Sequence, residues 1–176
     1  MFKSLKYLLI LLIFLPFPSQ SNSLFQKIDI KLNNKIVLSD EKNFEKKLYD
    51  ILDLRSKYIV NFWATWCIPC KKELPDLKKM KIDNKELKII IISIDKKSTK
   101  DQLNFLKINK VDDLTTYFDK NMTFFKRLKL RGIPTTLLIK ERKIIAKKDA
   151  MTKAVKLTLN DSSMISYNNV LGISLI

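Results

Sequence analysis

Tyr58-Ile59-Val60-Asn61-Phe62-Trp63-Ala64-Thr65-Trp66-Cys67-Ile68-Pro69-Cys70-Lys71-Lys72-Glu73-Leu74 decides how this chain is read. It opens with an apolar run suited to a strand buried on both faces. It closes with residues that continue as a helix. Between the two lie Cys67 and Cys70, the only cysteines in 176 residues. The first turn of a helix carries unpaired N–H groups and the positive end of the macrodipole, and both stabilise a thiolate. Thiolate is the species that attacks a disulfide, and such a setting lowers a cysteine pKa from about 8.5 to roughly 3.5–7.5. The pair therefore predicts thiol–disulfide exchange. Three other readings compete. A structural zinc site needs four Cys or His ligands, and this chain has two cysteines and no histidine. A purely structural disulfide across so short a loop constrains little of the unfolded chain. Two inert cysteines packed as small hydrophobes are the third reading.

The absence of histidine also removes Ser-His-Asp and Cys-His catalysis. The formal charge of +16 invites a nucleic-acid or membrane-surface reading. Only four of the 34 basic residues are arginine (Arg55, Arg127, Arg131 and Arg142), and the lysines are spread along the whole chain. A solvated lysine-rich surface follows, with no nucleic-acid partner expected. Such a surface can still steer acidic partners.

At the N-terminus, Lys3 and Lys6 precede an apolar core at residues 7–15, broken by Pro16 and Pro18 and followed by small polar residues. This is the pattern of a secretory signal peptide, and its core is shorter than the roughly 20 residues that span a bilayer. Cleavage near Ser21 or Ser23 fits. Without an A-x-A site an uncleaved anchor stays open, so membrane contact through residues 1–23 is the second expectation. No cysteine follows the apolar run, which argues against a lipid anchor. Export places the cysteines in an oxidising or redox-managed compartment such as the periplasm.

Beyond the leader, strands and helices alternate from residue 28 to about 146. This predicts an α/β fold with a central sheet covered on both faces. Residues 28–32 and 36–38, split by Asn33-Asn34, predict a hairpin. Ser39 reads as the N-cap of a helix carrying Phe44, Leu48, Ile51 and Leu52. Further strands are expected at 58–64, 87–94, 114–118, 134–139 and 144–146. Helices are expected after the cysteines, at 99–109 and at 121–130, with Pro75 kinking the first. The last two strands are close enough to be antiparallel, so the sheet is mixed.

Residues 60–75, together with Ser93-Ile94-Asp95 and Gly132-Ile133-Pro134-Thr135-Thr136, resemble the TlpA-like branch of the thioredoxin superfamily. That branch includes exported, often membrane-anchored reductases of cytochrome c maturation. The resemblance implies a thioredoxin-like fold over residues 24–160 with an N-terminal β-hairpin extension. It implies Cys67 as the exposed nucleophile and Cys70 as the resolving cysteine. Ile68 and Pro69 would tune the potential, Trp66 would shield the pair and offer a docking surface, and Ile133 would present its backbone to substrate. Pro134 would be cis and lie against Cys67. The redox-active disulfide serves in place of any cofactor or metal. Protein disulfides would be the substrates and a membrane protein the electron donor.

Two departures stand out. Thioredoxin carries a buried acid at the place of Asn61; Glu73 is a candidate nearby acid that would modulate the pair, with a helix-surface carboxylate as its more ordinary reading. The family's closing glycine and helix are replaced by residues 150–157 without a preceding glycine, and residues 161–176 form a divergent tail. Direction is open from sequence. An oxidase or isomerase uses the same residues, but a histidine inside the CxxC favours oxidation and Ile68-Pro69 lacks one, so a reductase is expected.

Overall fold

The computed structural model describes residues 25–149. Among them runs one eight-stranded mixed sheet in the order β1-β8-β7-β4-β5-β6-β2-β3. The strands are β1 (Gln26–Lys31), β2 (Val37–Ser39), β3 (Glu45–Lys47), β4 (Lys57–Trp63), β5 (Leu87–Ser93), β6 (Thr115–Phe118), β7 (Thr135–Lys140) and β8 (Lys143–Lys148). The helices are α1 (Leu48–Ile51), α2 (Ile68–Asp83), α3 (Thr99–Ile108) and α4 (Thr123–Arg127). This is the expected α/β thioredoxin-like architecture.

Strand β4 is central, parallel to β5 and antiparallel to β7. Its residues alternate between two cores. Ile59 and Trp63 join Leu74, Leu77 and Met80 of α2 and Leu106 of α3 on one face. Tyr58, Val60 and Phe62 join Phe124 and Phe125 of α4 and Leu48 of α1 on the other. Burial on both faces is why the Ile89–Ile92 run of β5 is continuous rather than alternating. The rings of Phe124 and Phe125 meet Phe62 edge-on at centroid distances of 5.2 and 5.6 Å. The reactive loop lies at the C-terminal ends of the parallel strands β4 and β5, where open α/β sheets place their ligands.

The N-terminal extension contains a hairpin, but not the expected one. Residues 28–31 belong to β1, which pairs with β8 at one edge of the sheet. Residues 37–39 form β2 near the other edge, where they pair with β3. The turn between them is held otherwise: the Asn33 side chain accepts from Lys35 N at 3.1 Å and from Arg127 Nη1 at 2.9 Å. Ser39 ends a strand instead of capping a helix. The Asp40 carboxylate accepts from Lys42 N and Phe44 N, both at 2.9 Å, and Asn43 takes a left-handed φ of 65°. This local side-chain turn out-competes the helix and folds the chain back into β3. Only Leu48–Ile51 remains helical.

Two further boundaries moved. Helix α2 continues through Pro75 to Asp83. Helix α4 is shorter than its apolar spacing suggests, because Lys129 at φ 51° ends the turn and sends Leu130 N back to Phe125 O. The expected helix at 150–157 and the tail at 161–176 lie outside the described residues, as does the leader at 1–23.

Candidate active site

Cys67 is the N-cap of α2, and Cys70 N donates to its sulfur at 3.2 Å. Pro69 stands in the first turn, where a missing N–H costs nothing. Cys67 and Cys70 form a disulfide with Cα atoms 5.3 Å apart. Both residues are covered in this state, Cys67 to 4% exposure and Cys70 to 1%. Cys67 is thus less open than the exposed nucleophile that the sequence led us to expect, although it is the more accessible of the two. Trp66 and Ile68 flank it and are exposed, at 62% and 67%, as is Pro69.

The loop is pinned from below. Asp95, at the end of β5, accepts from Thr65 N at 2.9 Å and from Thr65 Oγ1 at 2.5 Å through one oxygen, and from Lys97 N at 3.0 Å through the other. Burial works to raise its pKa, but these hydrogen bonds outweigh it and hold the carboxyl below the usual carboxylate range. The Ile133–Pro134 peptide is cis. Ile133 packs against the cluster that contains both cysteines. Trp66, Ile133, Ile94, Met122 and Phe125 line an open cleft of about 770 Å3 beside the disulfide.

Behind the disulfide lies a row of polar side chains in an otherwise apolar face. Asn61, Thr136 and Lys148 are register partners across β4, β7 and β8. Asn61 Nδ2 donates to Thr136 Oγ1 at 3.0 Å. Glu73 lies over the row from α2, one turn after Cys70. One of its oxygens accepts from Asn61 Nδ2 and the other from Lys148 Nζ, each at 3.4 Å. Burial raises the Glu73 pKa; Lys148 and then Asn61 pull it back, and Asp76 adds to the rise. A half-buried carboxyl with a raised pKa keeps its proton to higher pH than a free carboxyl does, which suits it to proton exchange with a neighbouring group. Asn61 Oδ1 finds no partner among the described residues. Rotation of that amide would turn this oxygen toward a protonated Glu73, so either charge state of the acid can be met.

The AhpC/TSA family pattern matches residues 28–148. The chain belongs to the AhpC/TSA family. It is a thioredoxin-like thiol–disulfide oxidoreductase with Cys67–Cys70 as its CxxC pair. It is 30% identical over 115 residues to thioredoxin of Buchnera aphidicola subsp. Schizaphis graminum, a match covering 65% of this chain and 82% of that one. It is 32% identical over 108 residues to a thiol-disulfide oxidoreductase ResA of Bacillus cereus, covering 60% of this chain and 62% of the relative. That match thus spans less than two thirds of the relative's length. A secreted Mycobacterium tuberculosis disulfide oxidoreductase homologous to E. coli DsbE superposes with a TM-score of 0.61 at 14% identity, over 78% of this chain and 96% of that one. At that identity the likeness is one of fold.

Within this AhpC/TSA-family site, the structure gathers the sequence-predicted residues at one end of the sheet. Trp66, Ile68 and Pro69 share the loop and first turn of α2 with the cysteines; Ile133 lines the cleft from the segment before β7, and Pro134 follows it at the strand's entry. Glu73 is the correction. Its side chain is 17% exposed and paired, so it is not a helix-surface carboxylate. Sequence reading missed Lys148, which looked like one more lysine in a lysine-rich strand. Its signal is positional: it lies in register with Thr136, which is itself in register with Asn61, and that register is visible only once the sheet is built.

Proposed function

We propose that this oxidoreductase reduces disulfides in exported proteins, with a membrane protein returning electrons to it. The observation that carries this reading is Cys70, buried to 1% at one turn from the carboxyl of Glu73. Burial and a neighbouring carboxylate both disfavour a thiolate there. They withhold from the reduced form the thiolate stabilisation that makes a dithiol pair an oxidant, which favours the role of a reductant. The His-free interior Ile68-Pro69 supports the same direction. The hydrogen bond from Cys70 N to the Cys67 sulfur pulls the other way, toward an oxidant, because it stabilises a Cys67 thiolate.

In the reduced protein the Cys67 thiolate attacks one sulfur of a substrate disulfide. A mixed disulfide forms and one substrate thiolate leaves. Cys70 then gives its proton to Glu73 and attacks the Cys67 sulfur, which releases the second substrate thiolate. Two electrons have passed to the substrate and Cys67–Cys70 is again a disulfide. Asn61 and Lys148 hold the Glu73 carboxyl in place for this transfer. The leader pattern of residues 1–23 supports a periplasmic location, exported or anchored at the inner membrane. The resemblance to cytochrome c maturation reductases makes apocytochrome c the first substrate to test.

A Cys70→Ala variant expressed in cells tests this. Without the resolving cysteine, mixed disulfides between Cys67 and its substrates should accumulate and separate on reduction. A variant that traps no protein would contradict the reading.

A further inference from the structure

The cleft beside Trp66 and Ile133 carries an unequal distribution of charge. Three carboxylates surround the reactive loop, and each spends both oxygens inside the protein. Asp95 binds Thr65 and Lys97 N. Asp119 accepts from Thr123 N at 2.7 Å and from Phe125 N at 2.9 Å, which caps α4. Glu73 binds Asn61 and Lys148. Asp95 and Asp119 are buried, at 5% and 2% exposure. Asp95 lines both the cleft and the hollow beside it, but groups of Thr65 and Lys97 occupy its two oxygens, so the charges that reach outward are those of the lysines.

The cations here are turned outward. Lys96 and Lys97 line the rim and are exposed. A smaller hollow continues from them past Ser98 to Lys120, also exposed, whose Nζ meets only the neutral Asn43 Oδ1 at 2.7 Å among the described residues. Arg131, one residue before Gly132 of the cleft wall, is exposed as well. Asp101 is the nearest exposed acid in sequence; it caps α3 with Ser98 and lines neither hollow.

The floor is apolar and adaptable. Ile94, Phe125 and Met122 lie between Trp66 and the lysine rim. Met122 has a left-handed φ of 53°, an unusual backbone state for an unbranched residue with a flexible side chain.

We propose that this cleft selects substrate proteins in which the reactive cysteine is accompanied by a bulky apolar side chain and, beside it, acidic residues. The apolar side chain fills the floor between Trp66 and Phe125. The acidic residues face Lys96 and Lys97, with Lys120 extending the positive track. The inference rests on the oxidoreductase reading above and adds the substrate's local sequence to it.

The test uses the full-length chain in its reduced form and three short disulfide-bonded peptides. All carry the same leucine beside the cysteine, flanked by glutamates, by lysines or by serines. The glutamate peptide should be reduced about tenfold faster than the lysine peptide at low ionic strength, and the gap should narrow in high salt. Since the whole chain is positive, a charge-matched control is needed. K96E/K97E and K85E/K143E change net charge equally, and Lys85 and Lys143 are exposed at the opposite end of the sheet. The preference should vanish or reverse in K96E/K97E and survive in K85E/K143E. Equal rates for the three peptides, or equal loss of preference in the two variants, would overturn the proposal. A chain that fails to reduce even 2-hydroxyethyl disulfide would overturn the reductase reading and this proposal with it.

Discussion

Phe62 and Asn61 are neighbours in β4, yet they enter two differently built interiors. On the Phe62 side the sheet meets Phe124, Phe125 and Leu48 in a core of apolar contacts. On the Asn61 side a polar row crosses three strands and ends on Glu73, directly behind the reactive cysteine pair. Burying those groups adds less stability than an apolar core would. Both faces carry an apolar core, but only one also carries a polar row, and under the proposed mechanism that row holds the proton-carrying group at a fixed place.

The sharpest way to break that division is to cut into each face separately. Phe62→Ala removes a ring that is fully buried and should cost about 3–5 kcal/mol in denaturant unfolding of the oxidised chain. The pH dependence of thiol exchange should not change in whatever fraction remains folded. A shift in that profile would show that the two faces are not independent.

Glu73→Gln attacks the other face. It keeps the shape and removes the proton carrier, so resolution of a mixed disulfide by Cys70 should slow by about 100-fold. Stopped-flow measurement from pH 5 to 9 should show a flattened profile. Unaltered kinetics would reduce Glu73 to a packing residue. Lys148→Met should raise the Glu73 pKa further, because it removes the main charge opposing burial. The pH profile should then move toward higher pH, and in a Glu73→Gln background the Lys148 change should leave the profile where it was.

Stability should report the same group. The folded-state pKa of Glu73 lies above its ordinary value of 4.5, so the folded chain binds more protons than the unfolded one in the interval between them. The Glu73 contribution therefore favours folding at low pH and is lost as pH rises through that interval. In Glu73→Gln this part of the slope should be missing from a pH series of unfolding midpoints. The smallest effect is expected at Trp66. Its side chain is largely exposed, so Trp66→Ala should change stability by no more than about 0.5 kcal/mol. Weakened reduction of peptide disulfides with unchanged reduction of a small uncharged disulfide would mark it as a docking residue.

The central strands and the helix after Cys70 were legible because each combines a long apolar pattern with a local motif, whereas the cis Ile133–Pro134 bond was expected only through the family resemblance. What was not legible depended on competition between near-equal local choices. Asp40 and Asn43 turn the chain where helical spacing suggested a helix. The β7–β8 turn places both Glu141 and Arg142 at positive φ, where glycine or asparagine is usual. Arg142 is held there by contacts that sequence does not announce: its Nε donates to Leu52 O at 2.8 Å and its guanidinium lies 3.8 Å from the Tyr49 ring centroid. The pairing of Glu73 with Lys148 was hidden for a related reason. It joins residues 75 positions apart through a strand register that no local pattern encodes.

The most direct test of the account is the reduction potential of the Cys67–Cys70 couple in the full chain, measured by equilibration with a thiol buffer. A buried Cys70 beside Glu73 predicts a reversible couple at or below about −270 mV, the range of a reductant. A value near −120 mV would mark a disulfide oxidant and contradict the account.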